Sequence, residues 1–303
     1  ALTQASAATR TLPAPDAHAR AHSEALSRLI QGEITAAGGH INFARFMQLA
    51  LYAPGLGYYS AGLQKFGAAG DFVTAPELGD LFARCLAQQC LPLLRELGEA
   101  DLLEVGAGSG ALATDLLLAL ESHGHLPRHY YILELSADLR QRQARQVAER
   151  APHLAARVQW LDTLPRQALR GIILANELLD AMPVERFRVT AGGMQQLCVA
   201  TQGCEFVWRA VPADAALADN VSSRVDVASL PPGYTSEINL QAEAWLRSMA
   251  GMLSAGVILL IDYGYPRAEY YHAQRADGTL LCHYRHRAHA DPLTLVGLQD
   301  STR

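Results

Sequence analysis

Cysteine is scarce in this 303-residue chain: Cys85, Cys90, Cys198, Cys204 and Cys282 make an odd count of 5, with no C-x-x-C pair among them. That excludes a disulfide framework and reads as reduced thiols in a reducing compartment. Cys198 and Cys204 flank a glycine-containing turn and could face each other, although a plain pair of strand residues is the preferred reading. No run approaches the roughly 18 uninterrupted apolar residues of a membrane-spanning helix, so no membrane insertion is expected. Positive charge is not in excess either. With 25 Lys and Arg against 30 Asp and Glu the net charge is -5, which argues against a nucleic-acid surface or an anionic-membrane footprint. Three histidines crowd the end, His283, His286 and His289, but no Cys or acid sits at zinc-like spacing and Arg285 and Arg287 interleave, so no metal is expected. Internal repeats and low-complexity segments are absent as well.

What remains is the composition of an ordinary enzyme, 50% apolar and 18% charged. The length suits one α/β domain with additions. Residues 1–22 are rich in Ala, Ser, Thr and Arg, with Asp16 the only acid, and read as a flexible tail or a presequence remnant, the tail being preferred. Residues 23–98 form an N-terminal helical region. In it an amphipathic helix over 23–37 carries Leu26, Leu29, Ile30 and Ile34, and a second is capped by Asn42 and stops before Pro54. The glycine- and aromatic-rich segment 55–77 is either a lid over a site or a surface loop pinned by tyrosines. A helix from Leu78 to Leu97 follows.

Residues 99–303 then alternate strand and helix. Near-continuous apolar strands are expected at 102–105, 130–135, 158–161, 172–175 and 257–262, with helices at 111–122, from Ser136, and over 237–253. That is the pattern of a mostly parallel sheet covered on both faces. Between the fourth and fifth strands, residues 185–234 read as an inserted antiparallel meander that could shape a substrate entrance or a partner surface.

The chain is organised around Leu102-Leu103-Glu104-Val105-Gly106-Ala107-Gly108-Ser109-Gly110, a strand, a tight turn and the start of a helix. Glycines there let a ligand rest on main-chain N–H groups. Gly106, Gly108 and Ala111 also satisfy the looser dinucleotide pattern G-x-G-x-x-A, so NAD is a weak alternative. Glu104 and Gly110 point instead to S-adenosylmethionine, because a carboxylate at the strand end repels a pyrophosphate but suits a sulfonium and an ammonium. Ligands of such sheets lie beyond the strand carboxyl ends. Glu134, beside Leu135 at the second strand end, suits the ribose hydroxyls; a buried Glu satisfied by helix N–H groups is its alternative. Trp160 and Asp162 after the third strand suit adenine, a core tryptophan being nearly as good a reading. After the fourth strand come Asn176-Glu177-Leu178-Leu179-Asp180. An arginine acceptor is a poor nucleophile while protonated and needs carboxylates to fix its guanidinium. Glu177 and Asn176 are the candidate catalytic residues, weighed evenly against a first-turn acid that favours the helix dipole.

Gly57-Tyr58-Tyr59, the run from Gly70 to Glu77, the glycine turn, Ala175-Asn176-Glu177-Leu178-Leu179-Asp180-Ala181-Met182-Pro183, Ile261-Asp262-Tyr263-Gly264-Tyr265 and Gly278-Thr279-Leu280 stand in the order of one family. The chain resembles the MidA-type family of S-adenosylmethionine-dependent methyltransferases, whose mitochondrial members help assemble respiratory complex I. The resemblance covers about residues 25–300. It implies a class I, Rossmann-like methyltransferase fold and a protein-arginine substrate, which in the mitochondrial members is a subunit of the complex I hydrophilic arm. It also implies that the loop at 70–77, through Thr74 and Pro76, covers the cofactor held by Glu104, Gly106, Ala107, Gly108, Gly110, Glu134, Leu135, Trp160, Asp162 and Asn176. The family continues past the Gly297-Leu298-Gln299-Asp300 run, so a longer protein is expected. A homodimer is allowed. The location would be cytoplasmic in a bacterium, which is preferred, or the mitochondrial matrix in a eukaryote. Two other classes stay open: a non-catalytic S-adenosylmethionine-binding assembly factor, and a small-molecule methyltransferase.

Overall fold

Asp16 opens the first helix of the computed structural model, which describes residues 12–60, 75–165 and 167–302. Its extended backbone lets the carboxylate accept the Ala19 N–H at 2.9 Å, satisfying a donor that a helix start leaves unpaired. Helix α1 (Ala17–Ala36) therefore begins before Ser23, and the expected tail is helical from Ala17. Leu26, Ile30 and Ile34 form its buried stripe, whereas Leu29, expected on that stripe, is exposed. A two-residue strand, β1 (Ile41–Asn42), leads into α2 (Phe43–Tyr52). Asn42 serves both elements. Its Oδ1 accepts the Arg45 N–H, and its Nδ2 donates to Glu185 Oε1 at 2.7 Å.

After a 3₁₀ turn at Ala75–Leu78 come α3 (Leu81–Leu97), β2 (Asp101–Val105), α4 (Ala111–Ser122), β3 (Tyr130–Leu133), α5 (Ala137–Arg150), β4 (Val158–Leu161) and β5 (Leu169–Asn176). Strands β6 (Glu185–Thr190), β7 (Gly193–Gln202) and β8 (Glu205–Pro212) follow, then α6 (Ala215–Ser222), β9 (Thr235–Ile238), α7 (Leu240–Met252) and β10 (Leu253–Ile261). The chain continues through α8 (Arg267–Tyr270), β11 (Leu281–Tyr284), β12 (Arg287–His289) and β13 (Asp300–Thr302). Among the described residues no helix is long and apolar enough to cross a membrane.

The central sheet runs β10-β5-β2-β3-β4 and is parallel at every pairing. Side chains alternate across it. Leu102, Ile132, Ile172 and Leu174 pack against α3 and α4, while Leu103, Val105, Ile173 and Ala175 pack on the other face with Met249 of α7. Both faces are buried, which is why these strands read as continuous apolar runs. The connections from β2 and β5 leave on opposite sides of the sheet, so the carboxyl end of β2 is the switch point where such sheets open a crevice.

The predicted meander is present as β6-β7-β8, widened by β1 against β7 and β9 against β6. The segment expected to begin a helix at Glu237 is strand through Ile238, and Asn239 caps α7 from its side chain. Helices α1 and α2 pack on this second sheet around Phe43, Phe46, Val184 and Val199, so the N-terminal region and the insertion share one core. A fully buried Glu237 joins that sheet to the end of the chain. It pairs with Arg186 at 3.2 Å and accepts the Thr279 N–H at 2.9 Å. A Cβ at Gly278 would fall 2.3 Å from its carboxylate, so only glycine lets the 278–281 segment lie this close. Arg186 also donates to Asp277 O at 3.1 Å, so both members of the buried pair hold that segment as a wall of the crevice.

Candidate active site

Strand β2 delivers Glu104 and then Gly106, Gly108 and Gly110, with φ of 73°, 54° and 86°. Left-handed backbone costs an L residue about 1–2 kcal/mol, so glycine turns the chain sharply under the crevice. The crevice is about 1040 Å³. Glu104, Gly106, Ala107 and Gly108 line its floor, and Glu134 and Leu135 line the side beyond β3. Asn176 and Glu177 line it beyond β5. Pro76 and Glu77 reach it from above, and Glu77 accepts the Ser109 hydroxyl, tying the 3₁₀ turn to the glycine turn. Thr74 lies outside the described residues.

Glu104 is 2% exposed and accepts the Tyr130 hydroxyl at 2.7 Å. Burial pushes its carboxyl up to about 7 against that hydrogen bond, with the Glu134 charge adding to the rise. Glu134, also buried, accepts the Ser136 N–H at 2.9 Å and the Gln143 amide at 3.2 Å. Burial raises its carboxyl too, and those hydrogen bonds and the Arg140 charge oppose the rise.

Three sequence candidates do not line the crevice. Trp160 spends its indole N–H on Gln143 Oε1 at 2.9 Å. Asp162 is largely exposed and pairs with Arg140 at 2.6 Å. Gly110 faces α5: a Cβ there would lie 3.0 Å from Gln143 Cα, so this glycine lets the helix approach. Gln143 itself is fully buried, and its amide also donates to Gly108 O at 2.9 Å. It thereby fastens the glycine turn, Glu134 and Trp160 together. Sequence reasoning missed it because glutamine reads as a solvent-facing residue, although Leu139 and Val147, four residues to either side, put it on the inner face of α5.

Glu177 carries φ of 48°, uncommon for a residue with a Cβ. Its N–H extends the ladder to Ile261 O at 2.8 Å, and the side chain lines the crevice, where Tyr263 and Asn176 hydrogen-bond it. Burial raises its carboxyl, and the Asp262 charge adds to this. Asp180 and Asp300 share the same end of the crevice, 6% and 3% exposed. Beside them the rings of Tyr52 and Tyr59 stack at 5.4 Å, Tyr52 donating to Ala181 O at 3.0 Å and Tyr59 to Asp300 Oδ1 at 2.8 Å. This end is acidic and aromatic. The three C-terminal histidines do not gather: among the described residues no group of three or more His, Cys, Asp and Glu could hold a metal.

Comparison with known proteins adds three findings. Residues 85–302 match a family model described as "Putative S-adenosyl-L-methionine-dependent methyltransferase". The chain superposes on a crystal structure of a Burkholderia thailandensis superfamily member bound to S-adenosyl-homocysteine, with 46% identity, a TM-score of 0.91, and 96% of this chain and 76% of that one covered. It is 27% identical to "Protein arginine methyltransferase NDUFAF7, mitochondrial" of Danio rerio over 88% of this chain and 66% of the relative, and 26% identical to the Drosophila melanogaster homologue over 95% and 70%. The chain thus spans about two thirds of the length of these curated relatives.

Proposed function

The chain belongs to the MidA-type family of S-adenosylmethionine-dependent methyltransferases, and from that premise we propose that it methylates an arginine of a protein substrate. The observation that carries this reading is one crevice holding a buried carboxyl at the glycine turn and an acidic, tyrosine-walled end beyond β5. At about 1040 Å³ it matches the upper end of the roughly 300–1,000 Å³ of small-ligand pockets, room for a cofactor with a side chain beside it. The curated relatives carry protein arginine methyltransferase in their names, and the resemblance makes a respiratory complex I hydrophilic-arm subunit, or its bacterial counterpart, the substrate to try first.

The donor set fits S-adenosylmethionine. Glu134 has oxygens that can accept ribose hydroxyls, Gly106 and Gly108 offer a turn without Cβ atoms, and Glu104 places a carboxyl where a cationic group would rest. When bound, the cofactor supplies a methyl group already activated by a sulfonium. The protein's share is position and charge: Glu177, held by Tyr263 and Asn176, orients an acceptor N–H. Methyl-labelled cofactor offered to cell extract should label protein, and acid hydrolysis should release the label as methylarginine. Label in another amino acid, or only in small molecules, overturns the arginine assignment.

A pH dependence follows from Glu104. With its carboxyl raised from 4.5 to about 7, the free protein gains stability from this group at low pH and loses it as pH rises through about 7. A bound cation favours the ionised form, so cofactor binding releases a proton below that value. Affinity for S-adenosylmethionine should strengthen by about tenfold from pH 6 to pH 8, read by calorimetry in buffers of different ionisation enthalpy. Glu104→Gln should flatten the dependence; an unchanged slope would remove Glu104 as its source.

A further inference from the structure

Four carboxylates meet where the β5 and β10 strand ends approach the C-terminal segment: Glu177, Asp180, Asp262 and Asp300. Three of them are engaged. Asp262 accepts the Tyr263 N–H at 2.9 Å on one oxygen and the Leu179 and Asp180 N–H groups at 2.8 and 3.2 Å on the other. Asp300 Oδ1 accepts the Tyr59 hydroxyl and the Ser301 N–H, both at 2.8 Å. Glu177 is hydrogen-bonded by Tyr263 and Asn176.

Asp180 is only half served. It is 6% exposed and lines the crevice, its carboxylate accepts the Ala181 N–H, and its Oδ1 meets no hydrogen-bond donor among the described residues. A buried carboxylate oxygen left without a donor is costly, and native proteins rarely leave one unexplained. Its neighbours deepen the deficit, because Asp262, Asp300 and Glu177 are all acidic. Burial and these charges together push the Asp180 carboxyl up to about 7 against the Ala181 N–H hydrogen bond, the direction expected of a carboxylate lacking its counter-ion. The arginine that also lines the crevice does not supply one: Arg275 lies 4.0 Å over the Tyr265 ring and donates to Glu269 O at 3.2 Å.

We propose that Asp180 is the binding carboxylate for the guanidinium of the methyl acceptor, with the stacked rings of Tyr52 and Tyr59 as the wall beside it. The missing partner must carry N–H donors and positive charge. A guanidinium meets both needs, is more weakly hydrated than an ammonium and packs against aromatic faces, so this lining selects arginine over lysine. Glu177 then orients the nitrogen that faces the cofactor, and Asp180 holds the remainder of the group. The inference rests on the methyltransferase reading and adds a second acceptor-binding residue to it.

The test is binding of Nα-acetyl-arginine amide, Nα-acetyl-lysine amide and Nα-acetyl-citrulline amide to the protein saturated with S-adenosylhomocysteine. The arginine amide should bind at least about tenfold more tightly than the other two, since citrulline keeps the shape and loses the charge. Asp180→Asn should erase that preference while leaving S-adenosylhomocysteine affinity unchanged. Equal binding of the three amides, no binding of the arginine amide, or an undiminished preference in Asp180→Asn overturns the proposal. Should Asp180→Asn also lose S-adenosylhomocysteine, the ranking of the amides on the unaltered protein decides, arginine first in support and any other order against. Failure of the unaltered protein to bind S-adenosylhomocysteine is a different result, and it removes the methyltransferase reading instead.

Discussion

Glu177→Gln should lower methyl transfer by roughly 100- to 1,000-fold, the loss typical of removing one group aimed at charge in the transition state. Affinity for S-adenosylhomocysteine should stay within about threefold, because the change leaves the glycine turn and Glu134 intact. Two features support so large and so selective an effect. The backbone at Glu177 is held left-handed by the Glu177 N–H to Ile261 O bond, so the side chain is fixed before any ligand arrives. Tyr263 and Asn176 fix its head in turn. Glutamine preserves the shape and one acceptor but removes the charge that steadies a guanidinium. The check is initial rate and calorimetric affinity on the same preparation. Equal losses in both would mean that Glu177 supports the fold of the crevice and not the transfer.

Glu134→Ala should act in the opposite way, weakening S-adenosylmethionine and S-adenosylhomocysteine alike by roughly 10- to 100-fold. That range corresponds to about 1.5–3 kcal/mol for hydrogen bonds to a charged acceptor. Both ligands carry the same ribose, so their ratio should hold. Glu134 also accepts from Ser136 and Gln143, and its loss frees a buried amide. A fall in melting temperature is therefore expected beside the affinity loss. Glu134→Gln separates the two, since it keeps the size of the side chain and should recover part of the stability while affinity remains low. If Glu134→Ala binds both ligands as the unaltered protein does, the ribose assignment is wrong.

Much of the fold was legible because its signals are local. Apolar runs at 102–105 and 158–161, glycine at the turn, and capping residues such as Asn42 and Ser136 act over a few residues. The start of α1 was missed because the Ala-rich stretch after Asp16 carries no apolar stripe. Strand β9 was hidden for another reason: its pairing with β6 joins residues far apart in sequence, and a short buried strand before a helix looks like the helix itself. The site divided in the same way. Glu104, Glu134 and Glu177 could be named from their places at strand ends, and all three line one crevice. The same logic points to Trp160, Asp162 and Gly110, but these meet Gln143 or Arg140, contacts that no spacing along the chain reveals. The acidic, tyrosine-walled end is assembled from α2, the loop after β5 and β13. Its residues stood in the sequence as unconnected motifs.

Calorimetric titration of the purified chain with S-adenosylmethionine and, separately, with NAD tests the central claim most directly. Saturable binding of S-adenosylmethionine with no heat from NAD is the expected result, because the buried Glu104 carboxyl at the glycine turn favours a cation and disfavours a pyrophosphate. Saturable binding of NAD in place of S-adenosylmethionine would contradict it.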